Sequence, residues 1–282
     1  MKMQKVLALL LTLVLAMSLI ACGNASGSQP ASAAPAPSGS APSAAPSPAP
    51  AEQDTIILGT SADYPPYEFH KLIDGKDQIV GFDISLAQLI AEKLGKKLEI
   101  RDIPFDSCLI ELNTDKVDFV IAGMSPDADR DAFFTDIYYK TTQCVLVRKG
   151  DAAKYKDVAA LTGKTIGAQL GSAQEKAAKQ ELPGSSLVSL QKVPDLLMDL
   201  SVGKSEAVVM EKLVAKSYLA SNDNMEIAFD LQYMTDGCAV AVKTGDQELL
   251  DKINAIVNEA LADGTLDRFI DEAAVLAADQ MG

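Results

Sequence analysis

Residues able to hold a small charged molecule cluster at positions 117–130, Val-Asp-Phe-Val-Ile-Ala-Gly-Met-Ser-Pro-Asp-Ala-Asp-Arg. Residues 117–121 are short, apolar and β-branched, the pattern of a buried strand, and Gly123 interrupts it. Ser125, Pro126 and Asp127 predict a helix start: a hydroxyl N-cap, proline at the first helical position and an acid in the first turn. A strand that ends in small residues and opens a helix exposes unpaired N–H groups at the positive end of the helix dipole, where an anion binds. Arg130, one turn further on, carries a planar fork of donors that matches a carboxylate. The alternative is an ordinary strand–helix turn whose arginine pairs with Asp127 or Asp131.

A second helix start stands at residues 171–175, Gly-Ser-Ala-Gln-Glu, where Ser172 and Glu175 have capping-box spacing. Glu211 closes the apolar run 207–210, and on spacing alone it reads as a solvated loop carboxylate. Besides Cys22 the chain has three cysteines, Cys108, Cys144 and Cys238, so at least one thiol is free or intermolecular. Their spacing matches no zinc site, and the single histidine, His70, gives no metal or triad partner. His70 reads as a solvated loop residue. The sequence calls for no metal and no cofactor.

The chain's ends set where these residues work. Lys2 and Lys5 followed by the apolar residues 6–20 form a targeting segment. Its ending, Leu19-Ile20-Ala21-Cys22, resembles a bacterial lipobox, which implies a signal peptide at 1–21 and lipidation of Cys22 by diacylglyceryl and palmitate-type groups. A plain secretory signal or a short membrane anchor is the alternative. No later stretch reaches the ~20 consecutive apolar residues of a membrane-spanning helix. The mature chain is therefore expected outside the cytoplasmic membrane, at the cell surface or in the periplasm, held by lipid. Residues 22–53, nearly all Ala, Ser, Pro and Gly, cannot bury a core and read as a disordered or partly polyproline tether. Without Lys2 and Lys5 the mature chain carries 23 Lys and Arg against 39 Asp and Glu, a net charge of −16. That balance argues against nucleic acid and against an anionic lipid surface as partners, and it fits a cationic ligand.

The elements that must position these residues follow in the remaining ~230 residues, a length suited to two domains. Strands are predicted at 55–60, 98–103, 117–122, 143–148, 165–169, 187–190, 207–210 and 239–243. Helices are predicted from Asp83, as cap, to Gly95, where Ile84, Ala87, Ile90, Ala91 and Leu94 have helical spacing, and at 106–113, after Ser125, after Ser172, at 193–202, at 247–262 and at 265–277. Repeated strand–helix units predict parallel sheets covered by helices on both faces, with ligands at the carboxyl ends of the strands.

Several of these segments resemble the polar amino-acid-binding proteins of bacterial ABC importers, solute-binding protein family 3. Gly59-Thr60-Ser61-Ala62-Asp63-Tyr64-Pro65-Pro66-Tyr67-Glu68 resembles the family's opening strand and loop. Gly81-Phe82-Asp83-Ile84 and residues 116–130 resemble its first-lobe ligand segment. Phe134-Thr135-Asp136-Ile137-Tyr138-Tyr139 is similar to its F-S-D-P-Y-Y stretch, and residues 166–175 to its second-lobe G-V-x-x-G-T-T-x-E loop. The resemblance covers nearly all of residues 55–279. It implies a type II periplasmic-binding-protein fold: two α/β lobes, each a mostly parallel sheet flanked by helices, joined by two hinge strands. Lobe 1 is expected at 54–141 and 243–282, and lobe 2 at 142–242.

The resemblance also implies a site. Arg130 holds an α-carboxylate, helped by Ser125 and by the segment Ala122, Gly123 and Met124, with Ser172 and Ala173 opposite. Glu211 stands where the family places an acid for the α-ammonium. Tyr64 forms an aromatic wall, Phe105 the other side, and Gln169 reaches in from the second lobe. Ser61 stands where binders of histidine and lysine often carry an acid, so Asp63 or Glu68 is left to supply negative charge. Ala173 lacks the hydroxyl usual at its position. The implied function is an extracytoplasmic binding protein, monomeric and non-enzymatic, for a polar and preferentially basic amino acid, arginine ahead of glutamine. Lobe closure would be read by a membrane permease with its ATPase. Cys144 and Cys238 fall near the hinge strands, as a disulfide or, more in keeping with the sequence, as two separate buried thiols. The rivals are a secreted dehydratase or lytic enzyme on the same fold, with Glu211 as its acid or base, and the sensing domain of a receptor. The receptor reading requires a separate signalling partner, because the chain ends at Gly282 with no second membrane segment.

Overall fold

The structure is a computed structural model that describes residues 54–278. The expected signal peptide, Cys22 and the tether lie outside the described residues. Among the described residues no helix is long and apolar enough to cross a membrane.

In chain order the strands are β1 (Thr55–Thr60), β2 (Asp63–Tyr64), β3 (Glu68–Ile73), β4 (Lys76–Val80), β5 (Lys97–Asp102), β6 (Phe119–Val120), β7 (Phe133–Phe134), β8 (Gln143–Arg148), β9 (Thr165–Gln169), β10 (Ser186–Leu190), β11 (Ala207–Glu211), β12 (Met225–Asp230) and β13 (Ala241–Val242). The helices are α1 (Phe82–Lys93), α2 (Cys108–Asn113), α3 (Ala173–Glu181), α4 (Val193–Ser201), α5 (Lys212–Leu219), α6 (Gln247–Ala262) and α7 (Thr265–Ala278).

Two five-stranded sheets result, ordered β5-β1-β6-β13-β7 and β10-β9-β11-β8-β12, with β2-β3-β4 as a small third sheet. In the first, β5, β1 and β6 run parallel and β13 runs antiparallel to β6 and β7. In the second, β10, β9 and β11 run parallel and β8 runs antiparallel to β11 and β12. Strand β8 shows why its residues 144–147 are all apolar. Cys144 and Leu146 join one core cluster, Val145 and Val147 the other, so both faces are covered. The chain passes from the first sheet to the second after Tyr139 and returns before Val240. These crossings lie side by side, with a bridge between Tyr139 and Cys238 and a 3.0 Å contact between the Thr141 and Thr235 hydroxyls.

Three expectations need correction. No helix follows Ser125; residues 127–130 form a turn, closed by Arg130 N donating to Asp127 O at 3.0 Å and by Asp129 N donating to the Asp127 carboxylate at 2.9 Å. Only a short segment separates β6 from β7, and it has no apolar stripe to bury. Asp83 does not cap α1, whose N-cap is Gly81; its carboxylate is buried and turned elsewhere. Gly81 occupies φ 132°, and a Cβ there would stand 2.0 Å from Tyr67 O. His70 sits on β3 rather than in a loop, bonded to Asp77 at 2.9 Å and Asp102 at 3.3 Å. The β3–β4 hairpin, α5 and β12 had no counterpart in the sequence reading. Cys108, Cys144 and Cys238 are all free and buried.

Candidate functional site

On the first-lobe side, the loop after β6 carries the candidate anion-binding residues. Gly123 takes φ 54°, and its neighbour Tyr64 lies within 3.2 Å of where a Cβ would project. The loop is tied from behind at three points. Gly123 N donates to Asp83 Oδ2 at 2.8 Å, Cys238 Sγ donates to Gly123 O at 3.1 Å, and Ala239 N donates to Met124 O at 2.9 Å. The Gly123 N–H therefore faces Asp83, not the cleft, and does not serve as the anion donor the sequence suggested.

Arg130 reaches back over this loop. Its Nη1 donates to Ser125 O and its Nη2 to Gly171 O at 3.1 Å, while the guanidinium carbon lies 5.5 Å from the centre of the Phe105 ring. Neither acid named as its alternative partner pairs with it: Asp127 bonds Lys176 at 2.7 Å, and Asp131 accepts from Thr244. Among the described residues no carboxylate forms an ion pair with Arg130. Burial pushes its pKa below the ordinary arginine value, and the charge of Asp127 offsets this only in part.

The second-lobe side is built by β8, β9, α3 and β11. Ser172 caps α3, accepting from Glu175 N at 3.1 Å and donating to Gln169 O at 2.6 Å; the Glu175 carboxylate takes Gly171 N at 2.9 Å. The Ser172 half of the capping box is present and consumes its hydroxyl, while Glu175 reaches one residue further back, to Gly171 N rather than Ser172 N. Glu211, the last residue of β11, is 3 % exposed and caps α5, with Oε2 accepting from Leu213 N at 2.8 Å and Val214 N at 3.0 Å. It forms no ion pair. Burial pushes its carboxyl up to about 7, against the amides of α5 that favour the ionised form. It is not the solvated loop carboxylate that spacing alone suggested.

Between the two sides lies a narrow cleft lined by Tyr64, Phe105, Ala122, Gly123, Ser125 and Arg130 from one side and by Gln169, Ala173 and Glu211 from the other. Thr141, Gln143 and Gln174 complete the lining. The walls touch: Gln174 Nε2 donates to Tyr64 OH at 3.0 Å and to Gln143 Oε1 at 2.8 Å. Further bonds join the lobes around the cleft. Val193 N donates to Asp63 Oδ2 at 3.0 Å, Tyr218 OH donates to Asp63 O at 2.8 Å, and Lys176 bridges Asp127 and Asp129.

Four expected site residues do not line the cleft. Ser61 is buried with its hydroxyl unpartnered, and Met124 packs in the first-lobe core beside Phe105 and Leu112. Ser172 is occupied as a cap. Asp63 is turned toward the N-terminus of α4; desolvation pushes it up to about 6, and its Oδ1 has no hydrogen-bond partner. Glu68, offered as an alternative source of negative charge, is fully buried beneath the cleft. Gln143, Gln174 and Thr141 went unread because each sits inside an ordinary polar stretch. The alternation along β8 could have marked Gln143, the one polar residue opening an apolar strand.

Residues 56–273 match the family model described as bacterial extracellular solute-binding proteins, family 3. The chain is 34 % identical over 220 residues to the arginine-binding extracellular protein ArtP of Bacillus subtilis, an overlap of 76 % of this chain and 83 % of that protein. It also resembles the amino acid ABC transporter substrate-binding protein AbpA of Streptococcus pneumoniae bound to L-arginine, at TM-score 0.77 and 36 % identity, covering 79 % of this chain and 96 % of that one. An ancestral arginine-binding protein bound to glutamine matches at TM-score 0.71 and 35 % identity, covering 78 % and 97 %. With a family model spanning most of its length and a two-lobed α/β fold shared with such proteins, the chain belongs to the bacterial extracellular solute-binding proteins, family 3.

Proposed function

We propose that the protein is the extracytoplasmic binding component of an ABC importer and that its cargo is a basic amino acid, arginine first. One observation carries this reading. The cleft holds a guanidinium, Arg130, and a buried carboxyl, Glu211, on opposite sides, and among the described residues neither forms an ion pair. The α-carboxylate and α-ammonium of an amino acid complement this pair, with Arg130 and Ser125 taking the first and Glu211 the second. Charge-assisted hydrogen bonds in a desolvated cleft are stronger than neutral ones. An incoming ammonium replaces the water Glu211 has lost, so binding drives off any proton it holds. Tyr64 and Phe105 suit the flat face of a guanidinium side chain.

The bonds between Gln174 and Tyr64 and between Lys176 and Asp127 describe a closed arrangement. Cargo shifts the open–closed balance by its better fit to this state. Lipidation at Cys22 would hold the protein at the membrane, with residues 22–53 as its tether, and a permease with its ATPase would receive the cargo. Cargo is released unchanged in this scheme, without catalysis. A second reading, glutamine as cargo, is favoured by the glutamine-bound ancestral relative.

Thermal unfolding in the presence of each common amino acid tests the proposal, because a ligand that binds only the folded state raises the midpoint. The largest shift is expected with arginine and must vanish in Arg130→Ala. A shift with glutamine alone refutes the basic preference, and no shift with any amino acid refutes the function.

A further inference from the structure

Behind the ligand loop, away from the cleft, two carboxyls are buried in contact. Glu68 opens β3 and Asp83 stands in the first turn of α1, where its N–H donates to the carbonyl of Tyr67, the residue before Glu68, at 3.0 Å; both carboxyls are 0 % exposed. Asp83 Oδ2 is fully used, accepting from Gly123 N at 2.8 Å and from the Tyr138 hydroxyl at 2.9 Å. Among the described residues Asp83 Oδ1 and both Glu68 oxygens have no hydrogen-bond partner. Two ionised carboxylates in that position would repel, and three oxygens would be left without a partner. The groups acting most strongly on Glu68 offer no relief, being Asp83, Asp63 and the Cys108 thiol. The other titratable groups facing the pair are Tyr64, Tyr67, Tyr138 and Cys238, all neutral in their ordinary ranges.

A single shared proton resolves the arrangement, and its location follows from the bonds. Asp83 accepts from two donors, which favours its ionised form, whereas Glu68 has none. We infer that Glu68 is a positioning residue for ligand binding: it carries a proton that it donates to Asp83, leaving Asp83 to hold the Gly123 N–H and the Tyr138 hydroxyl and so to set the Ala122–Gly123–Met124–Ser125 turn under Arg130. The device rests on the proposed amino-acid-binding role for its effect on affinity, but the proton itself does not depend on the cargo. Burial and the adjacent Asp83 charge both push the Glu68 carboxyl well above the glutamate range. The pair therefore holds its proton to higher pH than a solvated glutamate does.

Two measurements test this on the exported protein. Infrared difference spectroscopy of the ligand-free protein at neutral pH, wild type minus Glu68→Gln, cancels the partly protonated Glu211 and should show the band of one protonated carboxyl. A difference spectrum that lacks that band overturns the assignment. Arginine association constants are then compared for wild type, Glu68→Gln and Glu68→Ala from neutral to alkaline pH. Glutamine keeps a donor toward Asp83, so its constant should stay within about threefold of wild type at neutral pH, while alanine should lose more than about tenfold. The ratio of Glu68→Gln to wild type cancels the titration of arginine itself, and it should rise with pH as the wild-type pair loses its proton. A constant ratio, or glutamine failing as badly as alanine, refutes the positioning role. If wild type binds no arginine, the cargo assignment fails and the infrared result still decides the proton.

Discussion

Replacing Arg130 by alanine separates binding from folding. In the ligand-free protein the guanidinium makes two bonds to carbonyls, of Ser125 and Gly171, while lacking an ion-pair partner among the described residues and part of its hydration. Those effects oppose each other, so ligand-free stability should change by no more than about 1 kcal/mol. Binding should suffer far more. Removing one partner of a buried, hydrogen-bonded charge pair costs about 2–5 kcal/mol, and the lower part of that range already weakens affinity about 100-fold. With arginine at about 1,000 times the wild-type Kd, linkage stabilises wild type by about 4.1 kcal/mol and a 100-fold weaker variant by about 1.4 kcal/mol. For a folded part of this size those energies correspond to midpoint rises of about 8–16 °C and about 3–6 °C. Scanning fluorimetry with and without arginine reads both numbers. Equal arginine-induced shifts in the two proteins would refute the carboxylate role. A ligand-free midpoint that collapses would instead make Arg130 a structural residue.

Three further perturbations test other parts of the account. Gly81→Ala, forced to φ 132° with its Cβ against Tyr67 O, should destabilise by about 3 kcal/mol or more in urea titration, and an unchanged midpoint would contradict the packing at that turn. Lys176→Ala removes ion pairs to Asp127 and Asp129 at the cleft mouth. Because Lys176 is a third exposed, the arginine Kd should rise only about two- to fivefold at low salt, with the difference shrinking at high salt; a larger, salt-independent loss would mean direct contact with cargo. Asp63 at about 6 and Glu211 at about 7 bind protons more tightly folded than unfolded. Their contribution is complete below the unfolded carboxylate range and is lost as pH rises through about 6–7, so the ligand-free midpoint should fall across that window and Glu211→Gln should flatten the fall. A midpoint that climbs through the same window would sink this reading.

Much of the fold was legible because its strands and helices carry strong local patterns. The apolar runs of β1, β8 and β9 and the capped, periodic α6 have the bounds expected of them. Reading failed where tertiary contacts outvote local preference. Ser125-Pro126-Asp127 has every mark of a helix start, yet the Asp127 carboxylate is engaged by Asp129 N and by Lys176 from the other lobe. Asp83 looks like a cap and serves instead as the acceptor for Gly123, a partner forty residues away that no local pattern displays. The site was partly legible through family resemblance. Spacing could not distinguish Gln174, which faces the cleft, from Ser172, whose hydroxyl is spent on its own helix.

The two sheets also differ in how much of the chain each must wait for. Strands β8–β12 are consecutive, so the second sheet can assemble as soon as Asp230 has been made. The first sheet cannot, because Ala241 of β13 pairs with Val120 across the whole intervening sheet. During synthesis, which runs from the N-terminus and lets units fold as they emerge, the far wall of the cleft can be finished while the near wall still lacks a strand. Cys238 and Ala239, which pin the Gly123–Met124 turn, belong to that late segment. The loop beneath Arg130 therefore takes its final shape last, and an incomplete chain has no finished pocket in which to hold cargo.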